Sequence, residues 1–209
     1  MQKGKFIVFE GLDGSGKTTQ LERLGARLAA QYGEKAVYCT REPGESAPGL
    51  LCRKFSQKEL ALAPEAVALL YAADRVEHIM EDLLPRIESG QTVLCDRYYF
   101  SNFAYQILSS DLEDLLHYNA FARRTLRPDA VVFVDVSPEE CAKRRAHRGG
   151  AAEYYEKTEL ARQIRQGYLQ VFDRLADQEH ILTIDGSGNP DCVEALIWSA
   201  LQPCFSAAK

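Results

Sequence analysis

A three-layer α/β fold, with a parallel β-sheet held between helices, is the prediction for this chain, and three observations carry it. Five short apolar runs rich in β-branched residues recur along it: Lys5–Glu10, Lys35–Thr40, Thr92–Asp96, Ala130–Asp135 and His180–Asp185. Longer segments of helical periodicity separate them, which is the alternation of a parallel sheet buried on both faces. The turn after the first run is glycine-rich and opens a helix, as in phosphate-binding α/β proteins.

The helices carry their own start and stop signals. Thr18–Tyr32 spaces Leu21, Leu24 and Leu28 along one face and ends at Gly33. Pro64 opens a run to Glu88, closed by Ser89 and Gly90. Ser137-Pro138-Glu139-Glu140 supplies a capping hydroxyl, a first-turn proline and early acids. Asp191–Leu201 is the last predicted helix. No repeat, low-complexity tract or linker interrupts the pattern, so residues 1–209 are expected to form one domain.

A hydrophobic fraction of 46% and a charged fraction of 26% are those of an ordinary globular chain. No apolar run is long enough to span a bilayer, and Met1–Phe9, followed by Glu10, is too short and too charged for a signal peptide. A cytoplasmic protein without a membrane partner is expected. The net charge of −5 excludes the basic surplus of a dedicated nucleic-acid binder. Of two arginine clusters, Arg123, Arg124 and Arg127 read as a solvated helix face. Six cysteines without a C-x-x-C pair exclude a zinc site, and Cys39 and Cys95, inside apolar strands, read as buried thiols.

The glycine-rich turn, Gly11-Leu12-Asp13-Gly14-Ser15-Gly16-Lys17-Thr18, fits G-x-x-x-x-G-K-[ST] at every fixed position, and Thr19 follows it. Its glycines let successive N–H groups face a polyphosphate at the positive end of a helix. Lys17 then reaches the β- and γ-phosphates of ATP, and the Thr18 hydroxyl ligates Mg²⁺. A GTPase is disfavoured, because none of Asn102, Asn119 and Asn189 is followed by lysine and Asp96 is followed by Arg97-Tyr98-Tyr99. Asp96 ends the third strand at the edge where open α/β sheets bind ligands, positioned to organise Mg²⁺. Arg97 beside it and Arg41 after the second strand add cations at the same edge, enough for two anions to approach each other.

The ordered pieces E-G-x-D-G-x-G-K-T, R-E-P-G, Y-A-A-x-R, D-R-Y and R-P-D span nearly the whole chain and resemble the thymidylate kinase family. The resemblance implies a P-loop NTPase fold with strand order 2-3-1-4-5, a homodimer, and transfer of the γ-phosphate of ATP to dTMP. It also implies residue roles. Asp13 bonds the sugar 3′-hydroxyl; Arg41 and Arg97 hold the acceptor phosphate. Tyr71 stacks on thymine and Arg75 reads its O4 edge, although residues four apart on a helix also suit a routine surface pair. Asn102 and Gln106 fall among the base-touching positions, and Tyr105 crowds out a ribose hydroxyl. Arg144 and the Asp185-Gly186 turn match the adenine clamp. Glu10 is expected to support the loop, and Tyr98 and Tyr99 to pack.

Arg148-Gly149-Gly150-Ala151-Ala152 has the composition of a lid, spanning about residues 145–156. It resembles members that carry a catalytic arginine in the lid, since Gly14 and Ser15 stand where others place one in the phosphate loop. Arg148, alone or with Arg145, is then the candidate for the transferring phosphoryl group. The sequence departs from the family at Glu153-Tyr154-Tyr155-Glu156, where bacterial members often carry another lid arginine. It departs again at Arg41-Glu42-Pro43-Gly44-Glu45-Ser46, which adds an acid near the acceptor, and after Gln106, where a Gly-rich loop is absent. Two other functions remain open on sequence alone: a deoxynucleoside kinase, which needs a carboxylate base, and a non-catalytic ATP-binding module.

Overall fold

The structure is a computed structural model and describes residues 3–146 and 154–206. Five parallel strands form the sheet: β1 (Phe6–Glu10), β2 (Val37–Arg41), β3 (Thr92–Asp96), β4 (Ala130–Asp135) and β5 (Ile181–Asp185). Their order is β2-β3-β1-β4-β5, as the resemblance implied. The register pairs Arg41 with Asp96, Phe9 with Asp96, Glu10 with Phe133 and Asp135 with Asp185. Every strand therefore delivers a charged residue to the same carboxyl edge.

The central strands β1, β3 and β4 are buried on both faces, but the outer two are not. An edge strand has one neighbour and one open flank, so β2 alternates between half-buried and exposed. Cys39 is consequently exposed, against expectation, whereas Cys95 on β3 is buried.

Helix α1 (Lys17–Tyr32) starts one residue before its predicted position. The predicted run Pro64–Glu88 divides into α3 (Pro64–His78), a π-helical turn at Ile79–Leu83, and α4 (Leu84–Glu88). Pro85 has no N–H to give to the turn before it; the widened turn, with the Leu84 N–H on the Ile79 carbonyl, carries the chain through. Helices α2 (Ala47–Ser56), α5 (Tyr99–Gln106), α6 (Leu112–Tyr118), α7 (Ala120–Thr125) and α9 (Tyr154–Leu175) lie outside the predicted set. Of these, α2 shows a legible start: Ser46 caps it by accepting from the Gly49 N–H at 3.1 Å, with Pro48 in the first turn. Helix α8 (Pro138–Ala146) begins where predicted, and α10 (Pro190–Ser206) outruns its prediction at both ends.

Between the sheet and α5/α9 lies an aromatic stack. Phe133 sits 4.9 Å from Phe172 and 5.2 Å from Tyr168, ring to ring, and Phe100 and Tyr99 extend the cluster. Tyr98 and Tyr99 are fully buried, which bears out packing as their role. On the other side Trp198 of α10 stacks on Phe205 at 5.9 Å and lies under the Arg27 guanidinium at 4.1 Å. Because Phe133 is completely buried and ringed by aromatics, Phe133→Ala should lower unfolding free energy by about 3–5 kcal/mol, read from urea denaturation.

Candidate active site

At the carboxyl end of β1 the chain enters a loop that glycine makes possible. Gly14 and Gly16 lie in left-handed backbone at φ 94° and 95°, and a Cβ on Gly14 would stand 2.6 Å from the Cys141 carbonyl oxygen. The loop closes with the Ser15 N–H on the Leu12 carbonyl at 3.1 Å and leads into α1. Lys17, buried, lies 3.5 Å from Asp13 and 3.9 Å from Asp96. Burial pulls its ammonium pKa down, and Arg97 pushes the same way. Thr18 donates its hydroxyl to Asp96 Oδ2, while Asp96 Oδ1 is buried without a hydrogen-bond partner. A hydroxyl and a carboxylate with an uncommitted oxygen are hard donors suited to Mg²⁺, which binds through few protein groups plus substrate phosphates.

Arg97 occupies the junction between the loop and the acceptor side. Its backbone is left-handed (φ 75°), a conformation unusual for a non-glycine residue. The side chain donates to Asp13 Oδ1 at 2.6 Å, to Ser101 Oγ at 2.9 Å and to the Tyr168 hydroxyl at 3.3 Å. Behind it Glu10 is fully buried and accepts four hydrogen bonds: from the Tyr98 and Ser101 N–H groups at 2.8 and 3.2 Å, Ser101 Oγ at 2.6 Å and the Tyr168 hydroxyl at 2.8 Å. Burial raises the Glu10 pKa against the pull of Arg97 and these donors. Partial desolvation also opposes ionisation of Asp13, but Arg97 and Lys17 outweigh it and hold that carboxyl below its ordinary value.

A cavity of about 210 Å³ opens beside Arg97 and Asp13. Tyr71, Arg75, Asn102, Tyr105 and Gln106 line it, so the structure gathers most of the residues assigned to the acceptor. Arg75 is no surface partner of Tyr71: it is 2% exposed, ion-paired with Glu42 at 2.6 Å. Burial pushes the Tyr71 phenol up to about 12, so its ring is neutral at physiological pH.

Arg41 does not line this cavity. Side chains alternate along a strand, so Glu42 turns inward to Arg75 while Arg41 is exposed. It faces a separate groove of about 650 Å³ that includes Thr18 and Asp96. The acid at Glu45 is met by Arg53 at 2.8 Å. Asp74, buried, anchors the same turn by accepting from the Gly44 N–H at 2.9 Å and Ser46 Oγ at 2.7 Å.

On the other side of the loop a cavity of about 230 Å³ is lined by Gly14, Ser15, Gly16, Thr19, Arg144 and Gly186, among others. Arg144 donates to the Ser15 carbonyl at 3.3 Å and the Gly186 carbonyl at 3.1 Å, bridging the loop and the turn after β5. Asp185 does not join it; it faces the groove beside Asp135 and accepts from the Ser187 N–H at 2.9 Å. Leu12 is buried in the hydrophobic core, and Gly11, also buried, packs against Ser15 and Val134. Arg145 donates to the Asp13 carbonyl. Arg148 and residues 147–153 of the expected lid lie outside the described residues.

A model of the thymidylate kinase family matches residues 9–197. The chain belongs to that family. A thymidylate kinase of Pelotomaculum thermopropionicum is 43% identical, with 82% of each chain covered. One of Deinococcus radiodurans is 38% identical across 96% of this chain and 98% of its own. The crystal structure of a thymidylate kinase from Ehrlichia chaffeensis, 27% identical, covers 96% of this chain and 99% of its own with a TM-score of 0.74.

Within the thymidylate kinase scaffold, five residues that shape the site went unassigned by sequence: Glu42, Asp74, Ser101, Asn119 and Tyr168. Glu42 had a signal, its place in Arg41-Glu42-Pro43-Gly44; Asn119 and Tyr168 had none, being brought in by tertiary packing.

A carboxyl whose pKa is lower folded than unfolded stabilises the fold above the unfolded value and loses that contribution as pH falls through the folded one. Asp13, lowered from 3.8, is such a group. Asp13→Asn should therefore unfold at lower urea than wild type at neutral pH, and the gap should close as pH drops below 3.8.

Proposed function

We propose that the two cavities hold ATP and dTMP end to end and that the chain moves the γ-phosphate between them, giving ADP and dTDP. One observation carries the reading: Asp13 of the phosphate loop, bonded to Arg97 at 2.6 Å, lines with it the cavity of Tyr71, Arg75 and Asn102. Family membership supplies the substrates.

A phosphate monoester has its second pKa near 6, so its attacking oxygen is already anionic at neutral pH and no general base is required. That oxygen forms a bond to the γ-phosphorus as the bond from phosphorus to the β–γ bridging oxygen breaks, and ADP leaves with the electron pair. The obstacle is mutual repulsion of two anions. Lys17 meets the β- and γ-phosphates, Arg97 meets the acceptor phosphate, and Arg41, exposed at the neighbouring strand end, closes on it from the groove side. Thr18 and Asp96 would hold Mg²⁺, which would supply charge neutralisation at the transferring group. Arg144 with the Gly186 turn clamps the adenine; Gly11, Gly14, Ser15, Gly16 and Thr19 line the phosphates.

Tyr71 stacks on the base, Arg75, Asn102 and Gln106 meet its polar edge, Tyr105 excludes a 2′-hydroxyl, and Asp13 takes the 3′-hydroxyl. Arg148 in the lid, at about residues 145–156, stabilises the phosphoryl group in transit. The reading extends to one domain over 1–209 working in the cytoplasm as a homodimer. Leu50 and Leu51 on α2, with Leu69 on α3 and Met80 beyond it, are exposed and give α2 and α3 apolar surface for a second copy.

A deoxynucleoside kinase needs a carboxylate base near the loop. Glu10 is consumed by four hydrogen bonds, and the Asp13 carboxylate, bonded to Arg97 and with its pKa lowered by Arg97 and Lys17, is a weak base, so neither is suited to take a hydroxyl proton.

ADP release measured with Mg-ATP across nucleosides and nucleoside monophosphates tests the assignment. dTMP should be the preferred acceptor and thymidine inactive; the reverse order would overturn it. Arg97→Ala should lower kcat at least about a hundredfold, or about 2.7 kcal/mol of barrier. Arg148→Ala should lose about 10³-fold in kcat with little change in the KM for ATP; steady-state kinetics read both.

A further inference from the structure

Asn119 does not line the cavity, yet two of its three side-chain hydrogen bonds go to residues that do, Arg75 and Asn102. It stands between α6 and α7, 1% exposed. Its Oδ1 accepts from Arg75 Nη1 at 2.5 Å; its Nδ2 donates to the Leu115 carbonyl at 3.0 Å and to Asn102 Oδ1 at 2.9 Å. The orientation of this amide is fixed by its neighbours. A guanidinium can only donate and a carbonyl can only accept, so the oxygen must face Arg75 and the nitrogen must face Leu115.

That choice propagates. The Asn119 nitrogen presents a donor to Asn102, which must answer with its oxygen, and Arg75 Nη1 approaches the same oxygen at 3.4 Å. With both lone pairs of Asn102 Oδ1 engaged, only its NH₂ group is left for the cavity, where it donates to Gln106 Oε1 at 3.0 Å. Arg75 Nε, on the same guanidinium, is buried without a partner. Asn102 therefore presents N–H groups to the cavity rather than its oxygen.

We propose that Asn119 is a positioning residue that sets the hydrogen-bond polarity of the acceptor cavity, locking Asn102 with its NH₂ inward so that the site selects pyrimidines presenting carbonyl oxygens over those presenting an exocyclic amino group. The inference rests on the proposed use of this cavity for dTMP. A base with an amino group there meets donors with a donor, and leaves buried groups unpaired on both sides.

The test is Asn119→Asp, which still accepts from Arg75 but has no N–H for Asn102 or Leu115. Asn102 should turn over, placing its oxygen in the cavity. kcat/KM for dTMP should fall about tenfold or more, the preference for dTMP over dCMP should narrow by a similar factor, and the KM for ATP should stay within about twofold. A purely structural role would lower thermal stability without moving the dTMP:dCMP ratio, and that result would overturn the inference. Asn102→Asp, which removes the inward NH₂ while keeping Asn119, is measured alongside and should narrow the same ratio. If Asn119→Asp does not fold, an unchanged ratio in Asn102→Asp overturns the inference by itself. Wild-type protein inactive on dTMP would sink the functional reading along with this one; wild-type activity with an unmoved ratio sinks only this one.

Discussion

Everything at the catalytic edge depends on a carboxylate in the middle of the protein. Glu10 terminates the central strand with no exposure to water, an environment that disfavours its charge. It is tolerated because four donors converge on it and Arg97 supplies the compensating field. In turn Arg97 is held in left-handed backbone, and its fork is spread over Asp13, Ser101 and Tyr168. The phosphate loop, the start of α5 and the middle of α9 are thereby tied to one point.

The loop and α8 are likewise built as a unit. Gly14 rests against the Cys141 carbonyl with no room for a side chain, and Arg145 reaches from α8 to the Asp13 carbonyl. An arginine in place of Gly14 would collide with α8. Around Arg41 the distribution is different: Glu22, Glu45, Asp74, Glu77, Glu81, Asp82 and Asp96 share its groove. These acids set negative charge around the Arg41 guanidinium, and one of them, Glu45, is met by Arg53.

Much of the fold was legible because local signals and tertiary demands agree. Strand boundaries fell within two residues at every strand, since a buried parallel strand has little freedom in composition. The phosphate loop was legible because its spacing is dictated by backbone geometry. Legibility failed where a property arises only from neighbours. Cys39 reads like Cys95 but lies on an edge strand, and Pro64–Glu88 reads as one helix until Pro85 forces a wider turn. Arg41, expected at the acceptor phosphate, is exposed on the groove side, while Glu42 next to it is buried against Arg75. Asn119 has no signature at all, because its meaning comes from Arg75 and Asn102, 44 and 17 residues away in the chain.

The packing of α10 on α1 has an optical consequence. Trp198 is the chain's single tryptophan, and it sits under Arg27, ten residues along α1 from Lys17 and so about 15 Å away. Its emission reports whether the two helices are docked. Conformational integrity can thus be followed by intrinsic fluorescence in the presence of nucleotides, with no probe attached.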